Sequence, residues 1–225
     1  MSGPGLLVKI VWQGGPAWSE FSLVTQQDTG RTRRKARRKA APLPGERPLR
    51  ASGRDELLAH FATALQERDG SAAAHVVHEL WMRNEPPANI ERMLGILWRA
   101  ASESVPEWLP MRYVEWLPLV YEVAGRFVRS GRGRSNLYLV LLDYEDSARG
   151  PFGVYVGATQ YAPAARFDQH KSGIRAAGSV LKRGLEVLTG PVLHLQRVPR
   201  AQAAEIEEGL AEALRAEGLL VQGGH

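Results

Sequence analysis

Between residues 55 and 98 apolar positions recur at three- and four-residue intervals, the period of helices with one buried face. Asp55 to Arg68 places Leu58, Phe61 and Leu65 on one side. Ser71 to Trp81 opens on a residue suited to capping and gathers Val76, Val77, Leu80 and Trp81. After Pro86-Pro87, the set Ile90, Met93, Leu94, Leu97 and Trp98 keeps the same spacing. Pro106, Pro110 and Pro118 interrupt the pattern beyond Trp98, and a further helix is expected from about Leu119 to Val128.

On either side of this helical stretch the pattern differs. Leu6 to Trp12 and Phe21 to Thr25 read as short strands around a Gly/Pro turn, a hairpin-like segment over residues 1–30. Residues 31–50 combine a basic arm with a proline-rich linker, Ala41-Pro42-Leu43-Pro44-Gly45-Glu46-Arg47-Pro48. A helical domain is expected over residues 51–134, closed by a second linker at Gly131-Arg132-Gly133-Arg134. From 135 to 225 the pattern is mixed. Leu137 to Asp143 is apolar on both faces, hence a central strand, and Gly153 to Gly157 is a second. Pro163 can start a helix carrying Arg166, Phe167 and His170, and Ile174 to Leu185 also reads as helical. Val192 to Val198 is expected as a third strand, and Arg200 to Glu217 as a long amphipathic helix ended by Gly218.

Composition narrows the chemistry. The chain has no cysteine, which excludes disulfides, thiolate zinc sites and cysteine nucleophiles and is compatible with a reducing cytoplasm, the expected location. No apolar run is long enough to span a bilayer, and the first residues lack the basic start and apolar core of a secretion signal. The net charge is +5 and the pI about 9.7. That excess is local. Arg31, Arg33, Arg34, Lys35, Arg37, Arg38 and Lys39 supply seven positive charges, so the rest of the chain sits at −2. Such a run can neutralise phosphates and release counterions, or serve as a solvated linker; a disordered arm can do both.

The most informative stretch is Val154-Tyr155-Val156-Gly157-Ala158-Thr159 followed by Arg166-Phe167-Asp168-Gln169-His170-Lys171. A strand ends in a tyrosine and a glycine, and the next helix carries Arg166 and His170 four residues apart, on one face. Gly157 leaves room for backbone or substrate to approach. A guanidinium offers a fork of donors that suits a phosphate. In the last helix Ala203, Ile206, Leu210, Ala213 and Leu214 form the apolar stripe; Glu207 falls at its edge, with Glu205, Glu208 and Glu212 on the solvent side. A carboxylate turned toward the core needs a partner, either a divalent cation or a cationic side chain such as Arg200 or Arg215.

Over roughly residues 136–225 the sequence resembles the GIY-YIG nucleases. Asn136-Leu137-Tyr138 stands for the first motif, Tyr155-Val156-Gly157 for the second, Arg166 and His170 for the following helix, Glu207 for the metal ligand, and Gln222 before Gly223-Gly224 for a position where many members carry asparagine. Leu137 replaces glycine in the first motif, isoleucine is absent there, and the segment between Tyr138 and Tyr155 is longer than usual for the family. The resemblance implies an α+β fold, in which a small three-stranded antiparallel sheet flanked by helices follows a mainly helical N-terminal region. It implies an endonuclease that hydrolyses DNA phosphodiesters with Mg2+ or Mn2+ held by Glu207. Arg166 would stabilise the transition state, Tyr138 or Tyr155 would help activate the attacking water, His170 would orient a phenol or touch phosphate, and Lys171 would add a phosphate contact.

Plainer readings stand beside these. The two tyrosines could be packed strand residues, and Arg166 with His170 an exposed helix face. His75-Val76-Val77-His78-Glu79 has the wrong order for a zinc hydrolase motif and reads as two ordinary helix histidines; Trp81 and Trp98 read as core aromatics. Residues 135–225 hold nine Lys/Arg against ten Asp/Glu, so affinity for nucleic acid is expected from the arm (Arg33, Arg34, Lys35, Arg37, Arg38, Lys39) and from Arg126, Arg129, Arg132 and Arg134. The rival expectation is a nuclease-like fold kept as a nucleic-acid-binding or protein-interaction module without cleavage. A homodimer, and a protein partner bound through the helical region, stay open. No membrane is expected.

Overall fold

The computed structural model describes residues 42–144, 150–171 and 180–224, the side chains of 170, 171, 180 and 181 excepted. The expected hairpin of residues 1–30 and the basic residues Arg33, Arg34, Lys35, Arg37, Arg38 and Lys39 lie outside the described residues, as do the side chains of His170 and Lys171. The architecture is mixed α and β, and no helix among the described residues is long and apolar enough to cross a membrane.

Four helices come first: α1 (Arg54–Gln66), α2 (Gly70–Met82), α3 (Pro87–Ala101) and α4 (Leu117–Gly125). In α1 the buried stripe is Leu57, Phe61 and Ala64, with Leu58 at the surface, one position from the expected face. Both sets have helical spacing, and packing on α2 decides between them. α2 is capped by Asp69, whose side chain accepts from the Ala72 N–H (2.9 Å), and not by Ser71. It is buried almost all round, whereas α3 buries Ile90, Met93, Leu94 and Leu97 on a single face as its spacing predicts. α4 begins earlier than expected, because Pro118 occupies its first turn, where a missing N–H costs nothing; it ends at Gly125, leaving Val128 exposed.

The proline-rich segment is anchored where it is described. Pro44–Glu46 forms a 3-10 turn, and Arg47 reaches the buried carboxylate of Glu79 on α2 (2.8 Å), which also accepts from Arg83 (2.7 Å). Arg83 in turn donates to the carbonyls of Leu49, Arg50 and Ser52.

The sheet holds four strands, not three, and is mixed. β1 (Asn136–Asp143) and β2 (Phe152–Thr159) pair antiparallel in the centre. β3 (Gly184–Val187) lies antiparallel on the outer side of β1, and β4 (Val221–Gly223) lies parallel on the outer side of β2, giving the order β3-β1-β2-β4. Helix α5 (Pro163–Lys171) follows β2, and α6 (Arg200–Ala216) precedes β4. Two expectations fail here. Gly184 and Leu185, the end of the stretch expected as a helix, instead open an edge strand, Gly184–Val187. Val192–Val198 is not a strand: Gly190–Leu195 is a 3-10 turn, and Val198 makes one isolated bridge to Ser135. Val192, Leu195 and Val198 are all fully buried at every third position, the period of a 3-10 turn, and Pro191 suits its start.

The alternation along β1 divides two clusters. Leu137, Leu139 and Leu141 join Val154 and Val156 in the main core, which runs on through α6 into α1–α4. Tyr138, Val140 and Leu142 face the other way, where they meet Tyr155 and the α5 residue Phe167.

Candidate active site

That second face carries the two tyrosines singled out in the sequence. The register sets Tyr138 opposite Gly157 and Val140 opposite Tyr155, so the two phenols are diagonal neighbours on adjacent strands. Their ring centroids are 5.9 Å apart with planes tilted by 41°. A Cβ on Gly157 would stand 2.7 Å from a ring carbon of Tyr155 and 2.8 Å from two of Tyr138. Glycine at this point leaves the space that both rings occupy. Phe167 closes the cluster from α5 and brings its neighbour Arg166 to the edge, half-buried, with a guanidinium nitrogen donating to Gln169 (3.3 Å). Sequence reasoning treated Phe167 only as a helix residue; its signal was a lone large apolar side chain in a polar helix.

Glu207 enters from α6. Ile206 and Leu210 are buried beside it and it is half-exposed, at the edge of the apolar stripe as its helical phase predicts; Glu205, Glu208 and Glu212 are exposed. Arg215, one of the partners considered for Glu207, donates to the carbonyl of Gly223 (2.7 Å) and so ties β4 down. A Cβ on Gly223, whose φ is +83°, would collide with the carbonyl oxygen of Val156. That close approach places Gln222, exposed, beside Tyr155 in the parallel register.

The electrostatics tie the four groups together. Burial pushes the Tyr138 and Tyr155 phenols above their ordinary range, and both feel the opposed charges of Glu207, which raises them, and Arg166, which lowers them. A hydrogen bond between the two hydroxyls couples the phenols to each other. Residues contributed by β1, β2, α5 and α6 thus share one electrostatic environment. A single half-exposed carboxylate beside phenol oxygens suits a hard cation such as Mg2+ or Mn2+, which keeps several waters and takes further oxygens from a substrate. Among the described residues no three His, Cys, Asp or Glu side chains gather as a larger metal cluster would require.

Other candidates have structural explanations. His75 and His78 pack against Trp108 (ring centroids 4.9 and 5.7 Å), and His78 also meets Tyr121 edge-on at 4.7 Å. Trp81 is fully buried, donates to the Val114 carbonyl (3.1 Å) and stacks on Tyr113. A cavity of about 920 Å³ lies elsewhere, lined by Met82, Leu119, Phe127 and Leu193 among others, and includes none of the phenol-site residues. Compared with known proteins, the chain matches no family model, no curated protein and no solved structure.

Proposed function

We propose that this chain is a divalent-metal-dependent endonuclease of the GIY-YIG type that hydrolyses DNA phosphodiester bonds. One observation carries the reading: a hydrogen-bonded phenol pair, both members of which feel one guanidinium and one carboxylate drawn from separate helices. Arg166 binds the nonbridging oxygens of the scissile phosphate and stabilises the charge that builds there as water attacks. Tyr155, the less deeply buried of the two phenols, gives up its own proton to solvent more readily, and its phenolate then serves as the base. The water oxygen bonds to phosphorus, the ester P–O bond breaks, the water proton passes to the Tyr155 phenolate, and the leaving oxygen takes up a proton from solvent. Tyr138 holds Tyr155 in place. Mg2+ or Mn2+ held by Glu207 would supply positive charge at the phosphate and its leaving oxygen. His170 and Lys171, on the same helix as Arg166, are assigned by position to phenol orientation and phosphate contact.

A second reading has one observation in its favour. Burial raises both phenols, so neither is ionised at neutral pH in the metal-free protein, as suits a binding module that does not cut. Incubation with plasmid DNA and Mg2+ or Mn2+ separates the two, alongside Arg166→Ala and Glu207→Ala variants whose fold is checked by circular dichroism. The nuclease reading expects nicking or linearisation that falls roughly 100-fold or more in either variant. DNA binding without cleavage, indifferent to metal, would instead establish the module.

A further inference from the structure

We infer that Arg132, Arg134, Arg197 and Arg200, with Arg129 beside them, form a surface that tracks the phosphate backbone of duplex DNA and leads it to the phenol site. The inference rests on the nuclease reading for the reaction at that site. Backbone pairing brings together two arginine groups distant in sequence. The Gly133 N–H donates to the Arg197 carbonyl (2.7 Å), and Ser135 and Val198 exchange both of their backbone bonds (3.1 and 2.8 Å). The Arg197 N–H donates to the Asn136 side chain (3.0 Å), and Arg129 donates to the Gln196 carbonyl (3.2 Å).

All five side chains are exposed, and none forms an ion pair among the described residues. The first turn of α6, where Arg200 sits, contains no acid. Arg126, which belongs to the same run in sequence, is different: Glu122 (2.9 Å) and Glu217 (3.3 Å) already pair with it. The structure thus removes one arginine from the sequence-based set and adds two.

Position and chemistry favour DNA. Asn136 opens β1 directly after this segment, and an extended chain advances about 3.3 Å per residue, so Arg134 lies roughly 13 Å from Tyr138. That is a distance of two or so phosphates along a strand. Since residues 135–225 hold nine cations against ten acids, net charge cannot draw DNA to the site, and a local cluster must. Guanidinium groups suit phosphate oxygens by their planar fork of donors.

The test uses the full chain, a short fluorescent DNA duplex and EDTA, so that binding is read without cutting. Affinity is measured across a salt series. Joint replacement Arg132→Gln, Arg134→Gln, Arg197→Gln and Arg200→Gln is expected to weaken binding at least tenfold. It should also flatten the plot of log affinity against log salt by about 0.9 for each phosphate no longer neutralised. The four matching Arg→Lys changes should keep most of that slope, and Arg126→Gln should leave it unchanged. The inference is overturned if the Gln variant keeps wild-type affinity and slope, if Arg126→Gln costs as much as a single change in the cluster, or if the arginines prefer phosphatidylserine vesicles to the duplex at equal salt. A chain that binds through this surface yet never cuts sinks the nuclease reading alone. One that cuts while the Gln variant binds normally sinks the surface alone.

Discussion

Burial raises the hydroxyls of both Tyr138 and Tyr155 above the ordinary phenol range, and the more deeply buried Tyr138 is raised further. On the nuclease reading this inequality favours Tyr155 as the base, a choice the sequence alone left open. The whole arrangement leans on Gly157, since any side chain there would meet both rings closer than a real Cβ tolerates. Gly157→Ala is therefore expected to displace the phenols while the sheet survives, at an overpacking cost of about 1–3 kcal/mol. DNA cleavage should fall at least tenfold with the far-UV spectrum unchanged. Cleavage within twofold of wild type would mean that ring placement does not matter. At this scale much of the site was legible. Tyr155 and Arg166 share one short run, and the helical phase of Glu207 set it apart from Glu205, Glu208 and Glu212. Which tyrosine is the more deeply buried was not legible, because that depends on cross-strand register and packing.

Helix α2 shows how much an element can hide. It has no single exposed face, and its interior carries His75, His78 and Glu79. Burial, reinforced by neighbouring His75, pushes His78 down to about 3; among the facing charges, Glu79 opposes the shift and Arg47 adds to it. The unfolded chain takes up this proton near the ordinary 6.5, whereas the folded chain refuses it until about 3. The stability contributed is complete above pH 6.5 and is lost as the pH falls toward 3, at up to about 1.4 kcal/mol per pH unit for one such group. Melting temperature should drop between pH 6.5 and 4.5, above the range in which carboxylates take over. His78→Phe should flatten that drop, since Nε2 has no hydrogen-bond partner among the described residues. Parallel curves for variant and wild type would refute the assignment. Element by element, legibility tracks the strength of the period. α3, with five apolar residues in phase, is legible from its spacing alone. α1 comes out one position off because Leu57 and Leu58 both fit a stripe. Gly184-Leu185 and residues 192–198 defeat the pattern, because apolar positions this few do not tell a strand from a helical or 3-10 turn.

Across the whole molecule, composition points to a linker at residues 131–134, yet the packing runs straight across it. Buried Leu117, Val120, Val123 and Ala124 of α4 belong to the same core as Leu137, Leu139 and Leu141 of β1. His194 bonds the Ala124 carbonyl (3.1 Å), Thr189 donates to the Glu107 carbonyl (3.0 Å), and the Met111 N–H donates to Glu186 (2.9 Å). Each joins the helical stretch to the segment around β3 and the 3-10 turn after it. A glycine- and arginine-rich segment can be flexible by composition and still be held by its backbone, as the Gly133–Arg197 bond holds this one. Residues 135–225 made alone would expose the apolar surface that α4 and the loop before it now cover, and would leave Glu186, Thr189 and His194, among other groups, without their hydrogen-bond partners. The fragment is therefore expected to lack the cooperative thermal transition of the full chain, or to melt at least 10 °C lower, since a few kcal/mol shifts the midpoint by about that much in a domain of this size. Restoring residues 42–134 should bring the transition back. A fragment that melts with the full chain's midpoint and steepness would show that the sheet and its helices are self-sufficient and do not need the helical stretch to fold.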